Sequence, residues 1–295
     1  MKILITGGSG FIGRNLFEGL KDKYVVFAPT HQELDVADYL ALEKFINKQK
    51  IEIIIHAAVK GGNNVFENTL RMFVSIIRNA EKLDKIIHFG SGAEYDKTRD
   101  LIKIKESAWG NRIPADSYGL AKFICSEIAK NNKKIKTLRL FGVYGKYEDY
   151  RFKFISNTIA KVLLGLPIVI KQDVIFDYLY IDDLLKIIDY FLAHSSRYSE
   201  YNIVPPLPIK ISTIAGIVAN ITSRNPKIII KNQGMNLQYT ANNSQLLKFY
   251  PSLQFTPYSE GINRLYEYYR KNIKLIDKNA LIQDEYYSKA KIKSI

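Results

Sequence analysis

The sequence predicts an α/β fold: a doubly wound parallel sheet followed by a smaller C-terminal α/β lobe. Three observations carry that expectation. A short apolar run, Lys2-Ile3-Leu4-Ile5, stops at the glycine-rich stretch Thr6-Gly7-Gly8-Ser9-Gly10-Phe11-Ile12-Gly13. Residues of helical spacing (Phe11, Ile12, Asn15, Leu16, Gly19) follow at once. Beyond them, apolar runs alternate with helical patterns through the first half of the chain, which implies βαβ units.

In the opening strand–turn–helix each glycine answers a steric demand. Gly7 permits the tight turn, Gly10 lets the backbone approach a ligand, and Gly13 lets the helix lie close to the strand. Free N–H groups and the positive dipole end of helix 11–20 then face an anion. Gly7, Gly10, Phe11, Ile12 and Gly13 are therefore the predicted cradle of a dinucleotide pyrophosphate. The second strand, 24–28, runs into Pro29-Thr30-His31-Gln32 with no acid before Glu33. An NAD site places a carboxylate there for the ribose 2′-OH. Arg14, helped by His31, is placed to meet a 2′-phosphate instead, so NADP(H) is expected ahead of NAD. Asp35 either caps an adenine amino group or starts the next helix.

Strands at 51–58 and 85–89 are apolar throughout, as buried parallel strands are, and helix 66–83 joins them. Helix 117–131 and strand 137–141 continue the alternation. After Gly145 the character changes: helix 152–164, a short strand at 167–170, and helix 181–194 opened by Asp182-Asp183, acids that suit a helix N-terminus. Pro205-Pro206-Leu207-Pro208 is a rigid linker, and helices follow at 211–221 and 258–269. Residues 1–150 are expected to bind the cofactor, with 175–205 returning to that lobe. Residues 151–272 form mainly the substrate lobe, and 273–295 a tail that docks or frays.

The chain has 295 residues, 47% hydrophobic and 24% charged, as a globular protein does. The apolar strand beginning at residue 3 does not read as a signal peptide, and no apolar stretch approaches a membrane span. One cysteine, Cys125, precludes an internal disulfide and suits a reducing cytoplasm. Four scattered histidines argue against a metal site. The net charge of +14 is spread along the chain, without a basic stripe interleaved with stacking aromatics, so nucleic acid is not the expected partner. Attraction for anionic nucleotide substrates is the milder reading.

Three residues downstream of the cradle carry the chemistry. Tyr118 and Lys122 lie four apart in Ser117-Tyr118-Gly119-Leu120-Ala121-Lys122, on one face of a helix. A phenol near its usual pKa of ~10 shuttles protons poorly at neutral pH. A nearby ammonium and an oxidised nicotinamide are expected to stabilise the phenolate and bring Tyr118 toward the working range. Ser91, at the end of the strand 85–89, is placed to hydrogen-bond a substrate oxygen. Cradle and trio together point to an oxidoreductase acting on a carbonyl or an alcohol.

With these motifs, over about residues 1–270, the chain resembles the extended short-chain dehydrogenase/reductase family, the nucleotide-sugar epimerases, dehydratases and reductases. Further matching stretches are Ile55-His56-Ala57-Ala58, Leu138-Arg139-Leu140-Phe141-Gly142-Val143-Tyr144-Gly145 and Asp177-Tyr178-Leu179-Tyr180-Ile181-Asp182-Asp183. The resemblance implies a Rossmann lobe for NAD(P) and a C-terminal lobe for a nucleoside-diphosphate sugar. It makes Ser91, Tyr118 and Lys122 the catalytic triad, with Lys122 and Ala57 also at the cofactor. It also implies a homodimer. Within the family, the GDP-L-fucose synthase-like branch matches Thr30-His31-Gln32-Glu33-Leu34-Asp35 and Ala57-Ala58-Val59-Lys60-Gly61-Gly62.

Departures from that branch narrow the reaction. Ala93 stands where the branch has an epimerising cysteine, and no histidine falls near Lys153-Phe154, so epimerisation beside the ketone is expected to be lost. Gly92-Ala93 stands where 4,6-dehydratases carry Asp-Glu. Phe176 replaces the arginine that often holds the substrate phosphate. The grip is then expected from Arg139, Lys146 or Arg151, with Lys60 and Gly92 also at the substrate. The expected activity is NADPH-dependent reduction of the C4 ketone of a nucleotide-linked 4-keto-6-deoxy sugar, for surface polysaccharide. The alternative is a nucleotide-sugar 4-epimerase with tightly bound NAD.

Overall fold

The computed structural model describes residues 1–293 apart from Ser223. Six parallel strands form the central sheet: β1 (Lys2–Thr6), β2 (Val25–Phe27), β3 (Ile53–His56), β4 (Lys85–Ser91), β5 (Ile135–Leu140) and β6 (Glu200–Ile203). Their order is β6-β5-β4-β3-β1-β2. The chain steps outward from β1 to β2, then crosses back to β3 on the other side of β1. That reversal opens a crevice at the carboxyl ends of β1 and β3, where such sheets take their ligands.

Both faces of the sheet are covered, which explains the unbroken apolar strands. Leu4, Ile54 and Ile86 pack on one face against α2 (Tyr39–Gln49), α3 (Val65–Arg78) and α4 (Ser117–Lys130). Ile3, Ile5, Ile55 and Ile87 alternate to the other face, where α1 (Phe11–Leu20) brings Leu16 and Leu20. Two of these helices differ from expectation at their ends, and α4 opens at the residue expected. Asp38, not Asp35, caps α2, accepting from the Ala41 N–H at 3.1 Å. Helix α3 ends at Arg78, and a 3₁₀ turn over Ala80–Lys82 fills the rest of the expected helix. The Asp116 carboxylate accepts from the Gly119 N–H at 3.0 Å and opens α4 at Ser117.

The second lobe contributes α5 (Phe154–Leu163), α7 (Ile211–Ile221), α8 (Ser244–Phe249) and α9 (Tyr258–Lys271), while α6 (Ile181–Ala193) lies between them in sequence. Helix α6 packs with α1 on the central sheet, and β6 follows it as that sheet's edge strand. The core is continuous between the lobes, running from Ile187 and Ile188 of α6 to Ile159, Val218 and Leu265. Two features of this lobe escaped the sequence reading. Leu101–Ile104 pairs in parallel with Tyr239–Ala241, across 138 residues of chain at Tyr239–Leu101. The strand expected at 167–170 runs Ile168–Asp173, because it gains Ile228–Met235 as a parallel partner. The segment after Asn272 docks: Leu281 of α10 (Lys278–Gln283) is 1% exposed, and Lys161 pairs with Asp284 at 2.5 Å. Among the described residues no helix is long and apolar enough to cross a membrane.

Candidate active site

A cleft of about 580 Å³ lies over the carboxyl ends of β1 and β3. Gly7 adopts φ +73°, a left-handed conformation that costs other residues energy. A Cβ on Gly13 would come within 2.1 Å of the Gly7 carbonyl oxygen, and one on Gly7 within 2.8 Å of Ala58 Cα. The Gly10 N–H donates to the Gly7 carbonyl at 2.9 Å, closing the turn ahead of α1. This cradle, which any side chain would fill, fits the pyrophosphate of a dinucleotide. Gly13→Ala is expected to weaken NAD(P)H binding at least about tenfold, since overpacking costs about 1–3 kcal/mol. Fluorescence titration checks this, and unchanged affinity would place the cofactor elsewhere.

Phe11, Ile12, Asp35, Ala57 and Lys60 line this cleft too, so Lys60 faces the cofactor cleft rather than a substrate site. Pro29 and His31 form the wall beyond β2. Arg14 does not: its guanidinium lies 3.7 Å over the Tyr147 ring and 3.5 Å from Glu18. Cation–π attraction and the i,i+4 carboxylate turn it away from the expected 2′-phosphate position.

At the end of β4, Ser91 is buried and folds into a short turn. Its hydroxyl accepts from the Ala93 N–H at 3.2 Å, and Glu94 Oε1 accepts from the Ser91 N–H at 2.8 Å. This reciprocal pair is a capping box. Tyr118, one residue into α4, sits beside the turn that holds Ser91, where a Cβ on the next residue, Gly119, would come within 2.6 Å of the Ala93 carbonyl oxygen. The residue is half-buried, with its hydroxyl at the deep end, and burial pushes the phenol up to about 12; Ser91 opposes that shift and Glu94 and Asp116 add to it. Lys122 is not among the principal influences on the Tyr118 phenol. Lys122 is 2% exposed and donates to the Phe89 carbonyl at 2.7 Å, and burial lowers its own pKa. Behind it, His56 and His88 stack with ring centres 5.5 Å apart, and burial pulls His56 down to about 3. The pair therefore adds no positive charge beside the lysine.

A fourth residue joins this group from the second lobe. The Tyr239 hydroxyl lies over Gly92, next to Ser91, and its ring packs on Phe141 and Phe176 at 4.8 and 4.7 Å. Gly92 is required beneath it, since a Cβ there would meet the Tyr239 hydroxyl oxygen at 2.5 Å and the Phe141 ring at 2.6 Å. Nothing local in the sequence marks Tyr239, because parallel pairing with a strand far upstream delivers it.

The expected phosphate grip is not where the sequence reading put it. Arg139 is fully buried and pairs with Glu94 at 2.7 Å and with Glu200. Its position on β5, an inner strand between β6 and β4, points it into the protein, where it pairs with Glu94. Lys146 pairs with Glu18 at 2.7 Å, and Arg151 with Asp149 at 2.7 Å, both partly exposed and outside the lining of the cofactor cleft. A second cleft, of about 310 Å³, lies instead beyond Phe141 and Phe176, with Lys153, Lys171 and Lys291 on its walls.

Residues 3–204 match the model of the NAD dependent epimerase/dehydratase family. The chain belongs to that family. Its members use NAD(P) to modify nucleotide sugars, and the chain is an NAD(P)-dependent enzyme of this kind. It is 25% identical over 232 residues to GDP-L-colitose synthase of Yersinia pseudotuberculosis, covering 67% of this chain and 74% of that one. It is 26% identical over 254 residues to GDP-6-deoxy-D-talose 4-dehydrogenase of Aggregatibacter actinomycetemcomitans, covering 77% and 82%. Its fold matches the NADP-bound GDP-mannoheptose C4 reductase MlghC of Campylobacter jejuni with a TM-score of 0.77 at 22% identity, covering 91% and 98%.

Proposed function

We propose that this enzyme reduces the C4 ketone of a nucleotide-linked 4-keto-6-deoxy sugar, with NADPH as its cofactor, in the cytoplasm. The observation that carries the reading is the placement of Tyr118, in the first turn of α4, against the turn that holds Ser91 at the carboxyl edge of the sheet, with Gly119 packed on the Ala93 carbonyl. Reduction needs an acid there, and a phenol whose burial raises its pKa is fully protonated at neutral pH. Bound NADPH supplies the hydride to the carbonyl carbon. Ser91 holds the carbonyl oxygen, and Tyr118 gives that oxygen its proton as the carbon–oxygen double bond becomes single. Lys122 holds the nicotinamide ribose from the floor of the site.

Ala93 is a buried methyl and cannot move a proton on a neighbouring carbon, which favours simple reduction over epimerisation. The Tyr118 turn also sets the pH dependence. The protonated form is the active one, so activity is lost only as pH rises toward about 12. Between pH 7 and about 9.5, kcat/KM for reduction is expected to stay level; an alkaline limb that persists unchanged in Tyr118→Phe would remove Tyr118 as the acid. The deciding assay follows NADPH absorbance with a panel of 4-keto sugar nucleotides and reads product stereochemistry by NMR. Oxidation-state-neutral turnover with NAD retained by the protein would establish the 4-epimerase instead.

A further inference from the structure

We propose that the C-terminal segment 284–293 is part of the substrate site, roofing the second cleft and gripping the diphosphate of the nucleotide sugar through Lys291. This rests on the proposed substrate class. The segment is tied down at both ends and in the middle. Asp284 pairs with Lys161, and the Tyr286 ring lies 5.5 Å from Phe154. Asn236 donates its side-chain amide to the Lys291 carbonyl at 2.8 Å, and the Lys293 N–H donates to Gln172 Oε1 at 2.8 Å. Gln172 and Asn236 both line the cleft, so the amides of its wall are spent on holding the segment across it.

Tyr286, Ala290 and Lys291 thereby become cleft walls. Together with Lys153 and Lys171 they make a cationic enclosure. The acid facing these lysines is Glu148, fully enclosed and bonded to the Ser156 hydroxyl, and burial pushes its carboxyl up to about 8. It therefore offsets little of the lysine charge at neutral pH. An enclosure of this volume, with an aromatic ring and three lysines, suits a nucleoside diphosphate, whose charge is doubly anionic or more. Phe141 and Phe176 form its boundary toward Tyr239, Ser91 and Tyr118, which is where the attached sugar would extend. The grip expected from Arg139, Lys146 or Arg151 would thus come from lysines on the cleft walls, one of them brought from near the chain's end.

The test titrates the full-length chain with GDP, UDP and dTDP by calorimetry, alongside Lys291→Ala and Tyr286→Ala. At least one diphosphate is expected to bind, with affinity at least about tenfold weaker in Lys291→Ala, as loss of a charge-assisted contact implies. Tyr286→Ala is expected to weaken it as well, with NADPH affinity unchanged in both. Equal diphosphate affinity in all three proteins overturns the roof and leaves the proposed reaction standing. Failure of every diphosphate to bind the unaltered protein overturns both. A second readout avoids variants altogether: hydrogen exchange of 284–293 is expected to slow at least about fivefold with the bound diphosphate. No slowing overturns the proposal.

Discussion

Tyr118→Phe is expected to lower kcat for keto-sugar reduction by about a thousandfold, within the range a positioned general acid contributes. The substitution removes one oxygen from a ring that already packs at the start of α4, so the fold and NADPH affinity should stay as they are. Ser91 retains its N–H bond to Glu94 and its hydroxyl contact with the Ala93 N–H. The lost group is then the proton donor alone. A fall confined to kcat, with KM for the sugar nucleotide little changed, identifies a contact made at the reacting oxygen. Retention of the original rate would show that the proton comes from another group, and Tyr239 is the neighbouring phenol that would then be examined.

Arg139→Met should cost about 3–5 kcal/mol of stability, read as a lowered denaturant midpoint. The reason is the partner left behind. Glu94 is fully buried; its Oε2 accepts from Arg139 Nε at 2.7 Å and from the Trp109 indole N–H at 3.0 Å. Removing the guanidinium strands a carboxylate in a site without water to replace it. The double variant Arg139→Met/Glu94→Gln, which removes both charges, should recover more than half of that loss. A single variant as stable as the original chain would show that the pair contributes nothing net. Because Glu94 also accepts from the Ser91 N–H, loss of activity in Arg139→Met should exceed what the unfolded fraction explains.

Much of this site was readable before any coordinates. The cradle was, because tight turns and close backbone approach leave only glycine as an option, and Gly7 and Gly13 meet both conditions. Ser91, Tyr118 and Lys122 were readable because a strand end and one helix face fix them locally. The spacing Ser91-x-x-Glu94 was a capping-box signature, though its larger role in fixing the serine needed Arg139 to be seen. Arg139 and Lys146 were misread because a cation's sign is visible in sequence but a distant anionic partner is not: the fold brings Glu94 and Glu200 to the one and Glu18 to the other. Arg14 and Arg151 pair with carboxylates four and two residues away, Glu18 and Asp149, which the sequence did display. Tyr239 and the segment 284–293 were missed because parallel pairings and terminal docking place them, and no local pattern encodes either.

Tyr239 ties the second lobe's evolution to the chemistry of the first. A change in the strand that carries it, made to admit a different sugar, would also shift a hydroxyl resting on Gly92, beside the serine proposed to orient the ketone. New specificity in this scaffold therefore cannot be acquired by remodelling the outer lobe independently: every such step is also a trial of catalytic rate, and only those that leave the serine's orientation intact can persist.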